Sequence, residues 1–104
     1  MTDVTESVTN TYAIRTFLHK GLRELYDTGK SGQVPPALVG LCKVRLAALD
    51  QALNLSELNV PGFNFHPLKG FNPRRYSIHV NGPWAMTFEW TAPDVFRLNL
   101  EQYH

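Results

Sequence analysis

The sequence has one cysteine, Cys42, in 104 residues. No internal disulfide can form, and a reducing cytoplasm is the natural setting. No apolar run approaches the roughly 18 residues of a membrane span, and no signal-peptide pattern opens the chain, so neither a spanning helix nor an export signal is expected. Charge of one sign is also scarce, with a formal net charge of +1. The first eleven residues hold Asp3 and Glu6 and no Lys or Arg, so residues 12–104 carry ten bases against seven acids, a formal +3. That mild excess permits phosphate binding without arguing for it, because affinity for nucleic acid follows local clustering of cations. A Gly-rich phosphate loop and a serine nucleophile elbow are both missing. The four histidines show no close metal-ligand spacing, so neither a metal nor a cofactor is expected. Cys42 sits in an apolar helical stretch and reads as a buried thiol rather than a nucleophile.

What is present describes one domain. Apolar residues make up 43% of the chain and charged residues 18%, a globular balance at a length that supports a single core. Residues 1–11 are polar and read as a poorly ordered extension, with the domain over 12–104. Tyr12 to Phe17 alternates as a first strand. A helix is expected from about Lys20 to Tyr26, stopping near Gly29 and Gly32. A second opens at Pro35-Pro36 and continues to about Ala52. Projected at 100° per residue it carries Leu38, Leu41, Cys42, Leu46, Ala48, Leu49 and Leu53 on one apolar arc. Arg45 falls inside that arc, where a snorkelling stem or a structural ion pair is the ordinary explanation.

The second half changes to a period of two. Phe63 and Phe65 alternate with Asn64 and His66, and Tyr76, Ile78 and Val80 alternate with Ser77 and His79. Trp84, Met86, Phe88 and Trp90 alternate with Ala85, Thr87 and Glu89. Phe96, Leu98 and Leu100 alternate with Val95, Arg97 and Asn99. Asn81-Gly82-Pro83 and Ala92-Pro93-Asp94 supply hairpin turns. The expected fold is α+β, in the order β-α-α-β-β-β-β. A mostly antiparallel twisted sheet would have two helices packed on one face. By parity, the uncovered face presents Asn64, His66, Ser77, His79, Thr87, Glu89, Arg97 and Asn99, a hydrogen-bonding surface suited to RNA.

RNA cleavage can proceed without a metal because the substrate supplies its own nucleophile, the 2′-hydroxyl. The protein must then remove that proton, protonate the leaving 5′-oxygen and stabilise charge on phosphorus. Histidine suits the proton transfers; lysine, arginine and tyrosine suit the phosphate. Two clusters offer these groups. His66-Pro67-Leu68-Lys69-Gly70 is followed closely by Arg74 and Arg75, and Glu101-Gln102-Tyr103-His104 lies just past the last strand. By spacing alone neither is a strong motif, since a strand histidine is usually a surface residue and Arg74-Arg75 is ordinarily a solvated loop pair.

The order of Phe17-Leu18-His19-Lys20-Gly21-Leu22, Phe65-His66-Pro67-Leu68-Lys69-Gly70, Tyr76-Ser77-Ile78, Trp84, Thr87-Phe88 and Glu101-Gln102-Tyr103-His104 resembles HigB-type toxins of the RelE/ParE superfamily. The similarity covers about residues 12–104. It implies a RelE-like fold and a ribosome-dependent endoribonuclease that cuts messenger RNA in the decoding site. The implied partners are a helix-turn-helix antitoxin (HigA-like), the 70S ribosome with its message, and operator DNA reached only through the toxin–antitoxin complex. His66, Lys69, Tyr103 and His104 match the family's active-site positions.

Two residues depart from that pattern. Gln102 stands where many relatives have an acid, which leaves Glu101, Gln102 itself or the α-carboxylate of His104 to orient a catalytic histidine. Ala85 stands where others carry an arginine, so phosphate binding would fall to Arg97, Arg74 or Arg75. The rival readings are a ParE-like gyrase poison on the same fold and a catalytically degenerate module that only binds antitoxin or ribosome.

Overall fold

The computed structural model describes residues 13–103; the extension expected over residues 1–11, Tyr12 and His104 lie outside them. Two helices, α1 (Lys20–Thr28) and α2 (Val39–Gln51), precede four strands: β1 (His66–Leu68), β2 (Arg75–Asn81), β3 (Trp84–Thr91) and β4 (Asp94–Gln102). The strands form an antiparallel meander in the order β1-β2-β3-β4. This is the expected α+β architecture. Among the described residues no helix is long and apolar enough to cross a membrane.

The helix ends follow local chemistry. At the start of α1 the His19 ring accepts from the Leu22 N–H, and at its end Gly29 takes φ 81° and donates its N–H to the Leu25 carbonyl. A positive φ favours glycine there. Gly21 is required for a different reason. A Cβ on it would lie 2.8 Å from His19 Cε1 and 2.9 Å from Gln33 Cβ. Pro36–Leu38 makes one 3-10 turn before α2, consistent with an opening at Pro35-Pro36. Because α2 ends at Gln51, Leu53 leaves the expected apolar arc and is 70% exposed.

The core lies between the helices and one sheet face. Leu22, Cys42 and Leu49 meet Ile78, Met86, Phe88 and Leu98 there, all of them without exposed surface. Burial pushes the Cys42 thiol up to about 11, so it stays protonated and apolar in character. Arg45 does not snorkel, and it has no ion pair among the described residues. It is buried, with Nε donating to the His79 carbonyl (2.7 Å), Nη1 to the Leu41 carbonyl (3.1 Å), and its guanidinium 4.7 Å from the centre of the Phe63 ring. It thereby ties α2 to the backbone of β2.

Three expectations are corrected. The segment expected as a first strand makes only two isolated parallel bridges with β4, Ile14 to Val95 and Phe17 to Leu98. The cause is a bulge in β4, where Arg97 and Leu98 oppose Phe88 and Arg97 takes φ 52°. The Arg97 N–H there turns to the Thr16 hydroxyl (2.7 Å) instead of a backbone partner. That extra residue also reverses parity before it. Val95 therefore joins the core, and Phe96 is only half-buried. Phe63 to Phe65 stays outside the sheet, because Asn64 at φ 44° breaks the extended run and β1 begins at His66.

Candidate active site

The uncovered sheet face is ordered in cross-strand rows. His79, Ala85 and Glu101 form one; His66, Ser77, Thr87 and Asn99 form the next; Arg75 and Glu89 pair in a third. Two cavities open along these rows. One of about 220 Å³ includes His66, Ser77, His79, Trp84, Ala85 and Tyr103 in its lining. The other, about 600 Å³, includes Leu18, Phe71, Arg75, Glu89, Arg97 and Glu101. Of the expected catalytic set, the first brings His66 and Tyr103 together. Lys69 is exposed in the turn that follows β1 and lines neither cavity. Among the described residues no three His, Cys, Asp or Glu side chains form a metal-holding group.

The histidines of the small cavity are oriented by backbone. His66 Nδ1 lies 2.8 Å from the Asn64 carbonyl and His79 Nε2 lies 3.0 Å from the Gly82 carbonyl. A carbonyl only accepts, so the facing nitrogen carries the hydrogen in each ring. In the neutral rings the lone pair is therefore on Nε2 of His66 and on Nδ1 of His79. The left-handed Asn64 is what turns its carbonyl under the ring two residues on, a conformation asparagine tolerates better than most. Tyr103 is fixed from the same side of the sheet, its N–H donating to the Pro83 carbonyl (2.6 Å). The Gly82-Pro83 turn thus holds both His79 and the tail, and Gly82 adopts the positive φ (54°) that begins such a two-residue hairpin turn. Burial, followed by the Glu101 carboxylate, pushes the Tyr103 phenol up, with Arg75 pulling the other way. The phenol keeps its proton at neutral pH and remains a donor.

The larger cavity is built from ions. Arg75 is no loop residue: it opens β2, and its guanidinium is buried. It donates to Glu89 Oε2 (3.2 Å), to the Thr87 hydroxyl (3.0 Å) and to the Arg97 carbonyl (3.0 Å). The same Glu89 oxygen takes Arg97 Nε at 3.1 Å, and Thr87 donates to a Glu101 oxygen. Glu101 is therefore held by Thr87, whereas Gln102 is exposed and pairs with Trp84 in the sheet. Ala85 is buried between His79 and Glu101. Arg97 stands beside Glu89, four residues along β3 from Ala85 or about 13 Å, so it lines the other cavity. Arg74 is exposed in the β1–β2 loop.

Sequence reasoning placed His79 on this face but not in the chemistry. The signals that could have found it are its parity with Ser77 and its position three residues before the Gly82 carbonyl. Arg75 was obscured by its neighbour, since an Arg-Arg pair after a Pro looks like a loop.

Residues 15–104 match the family model described as the RelE-like toxin of type II toxin-antitoxin system HigB. The Endoribonuclease HigB of Proteus vulgaris is 40% identical over 91 residues, covering 88% of this chain and 99% of that protein. The chain belongs to the HigB-like family of RelE-like toxins from type II toxin-antitoxin systems.

Proposed function

We propose that the protein is a ribosome-dependent endoribonuclease that cuts messenger RNA by attack of the 2′-hydroxyl. The observation that carries this is His66, whose Nδ1–H faces the Asn64 carbonyl and whose Nε2 lone pair is left for a proton, in one cavity with Tyr103. Its relative's name, Endoribonuclease HigB, supports the same activity. In this mechanism His66 Nε2 takes the 2′-hydroxyl proton as the oxygen bonds to phosphorus. The bond to the 5′-oxygen breaks, and that oxygen takes a proton from the tail, where His104 is the matching family position. The products are a 2′,3′-cyclic phosphate and a 5′-hydroxyl end. The neutral Tyr103 phenol donates to a phosphate oxygen, and Lys69 and Arg74, both exposed, meet neighbouring phosphates with Arg97. Glu101 acts as the orienting carboxylate in place of Gln102. His79 is a positioning residue, acting through the Gly82-Pro83 turn that holds the Tyr103 backbone.

The mild positive charge and the open cavities leave substrate placement to the ribosome, consistent with action on bound messages in the cytoplasm. The remaining partner is a helix-turn-helix antitoxin, with operator DNA contacted only through that complex. The test is inducible expression of the wild type and His66→Ala, followed by mapping of message ends. New 5′-hydroxyl ends that depend on His66 and on translating ribosomes are expected. Growth arrest with intact messages and damaged DNA would favour a gyrase poison instead, and harmless expression would favour a binding module.

A further inference from the structure

Two buried hydroxyls of the open sheet face are bonded in opposite ways. Ser77 and Thr87 are register partners on adjacent strands, 3% and 0% exposed. Thr87 uses its hydroxyl within the protein, accepting from Arg75 Nη2 and donating to Glu101. Cross-strand hydroxyls can bond to each other, but here the Thr87 hydrogen is committed to Glu101. The Ser77 hydroxyl has no hydrogen-bond partner among the described residues. A buried polar side chain is rarely left so. Ser77 lines the small cavity, so a group that enters there can satisfy it.

Register ties this hydroxyl to the histidine. Ser77 lies directly opposite His66 in the antiparallel β1–β2 pair, which sets the two Cβ atoms about 5 Å apart. A phosphate bonded to the hydroxyl therefore lies beside the imidazole. Tyr103 reaches the same cavity from the tail. Among the described residues that line it there is no lysine or arginine, and Ala85 adds no donor of its own. Negative charge developing on a phosphate in this cavity must then be met by neutral donors. Such donors are effective when they are in place before the reaction begins. A phosphate oxygen accepts and a serine hydroxyl can donate, so the chemistry matches.

We propose that Ser77 is a catalytic residue whose hydroxyl donates to one non-bridging oxygen of the scissile phosphate, while the Tyr103 phenol donates to the other. The inference rests on the ribonuclease reading and adds to it a residue and a stereochemistry. Serine forms no covalent bond: the 2′-oxygen remains the nucleophile, and the Ser77 hydroxyl keeps its proton throughout. Because the two non-bridging oxygens are distinguishable, each donor answers to its own oxygen.

The test is single-turnover cleavage of a ribosome-bound message with sulfur replacing one or the other non-bridging oxygen at the cut. Sulfur is a weak acceptor, so each replacement should slow the wild-type protein. Ser77→Ala should cut the all-oxygen message roughly 10²-fold more slowly. Its urea midpoint should stay unchanged, because the hydroxyl has no partner to lose among the described residues. One sulfur isomer should then bring no further slowing in Ser77→Ala, and the other isomer none in Tyr103→Phe. A wild-type rate in Ser77→Ala overturns the assignment and leaves the nuclease standing. So does full slowing by both isomers in Ser77→Ala, or a loss of rate that tracks a lowered midpoint. Intact messages with the wild-type protein overturn the nuclease reading and this assignment with it.

Discussion

The two ends of the open sheet face use the same polar residue types in opposite ways. In the arginine–glutamate end, each charged group faces another protein group: Arg75 reaches Glu89, Thr87 and the Arg97 carbonyl, Glu89 holds two guanidiniums, and Thr87 ties in Glu101. At the histidine end each ring has one nitrogen on a backbone carbonyl and the other without a partner among the described residues. A group whose bonds are satisfied contributes stability, whereas a group oriented but incompletely bonded is available for proton transfer. His19 makes the same distinction within one residue type. Its Nδ1 lone pair accepts from the Leu22 N–H, so that ring caps a helix instead of acting as a base.

The largest expected break in the comparison is His66→Ala. Removing the exposed imidazole proposed as general base should lower cleavage by roughly 10²–10⁴ while leaving unfolding free energy within about 0.5 kcal/mol. A rate assay beside urea melts checks both. Arg75→Ala should do the reverse at the other end, lowering stability by about 2–4 kcal/mol, because Thr87 and the Arg97 carbonyl lose a buried partner. A melt displaced by less than about 1 kcal/mol would show that this end is not the stabilising one.

Arg97→Gly separates the roles further. Glycine removes the cost of a left-handed residue, about 1 kcal/mol, and loses an exposed ion pair worth 0–1 kcal/mol or about that. Stability should hold or rise slightly while cleavage falls, and a parallel loss of both would mean that the bulge needs the side chain. The smallest effect concerns His19. Burial lowers its pKa from 6.5, so the folded state disfavours the proton. The capping contribution is complete above 6.5 and is lost as pH falls through the lowered folded value. Thermal melts between pH 7 and 5 should show a decline of up to about 1 kcal/mol that His19→Asn, a non-titrating cap, lacks.

These contrasts also mark what was legible beforehand. Periodicity located both helices and the three long strands, and the turn residues joined them correctly, because local preference and burial agree in those segments. It failed at Asn64 and Arg97. Both are non-glycine residues in left-handed conformations, and neither alternation nor propensity marks them. The consequences are large for their size. Asn64 turns a carbonyl toward His66, and Arg97 sends Val95 into the core and interrupts the bridging of the Ile14–Phe17 segment to β4. Arg45 was visible as an anomaly in an apolar arc, but its partners are a carbonyl 34 residues away and the Phe63 ring.

By itself, then, the sequence determined the α+β order, the helix-covered face and the residue types available on the open one, because side-chain alternation is a property of the local chain. Only the tertiary structure decided how those types divide. The pairing of His66 with Ser77, of Thr87 with Asn99 and of Arg75 with Glu89 depends on strand register. That register separates a histidine and tyrosine with proton-transfer capacity left over from an arginine and glutamate set that is internally bonded. Hydrogen bonds across strands join residues far apart in the chain, so no local pattern records which groups will be satisfied.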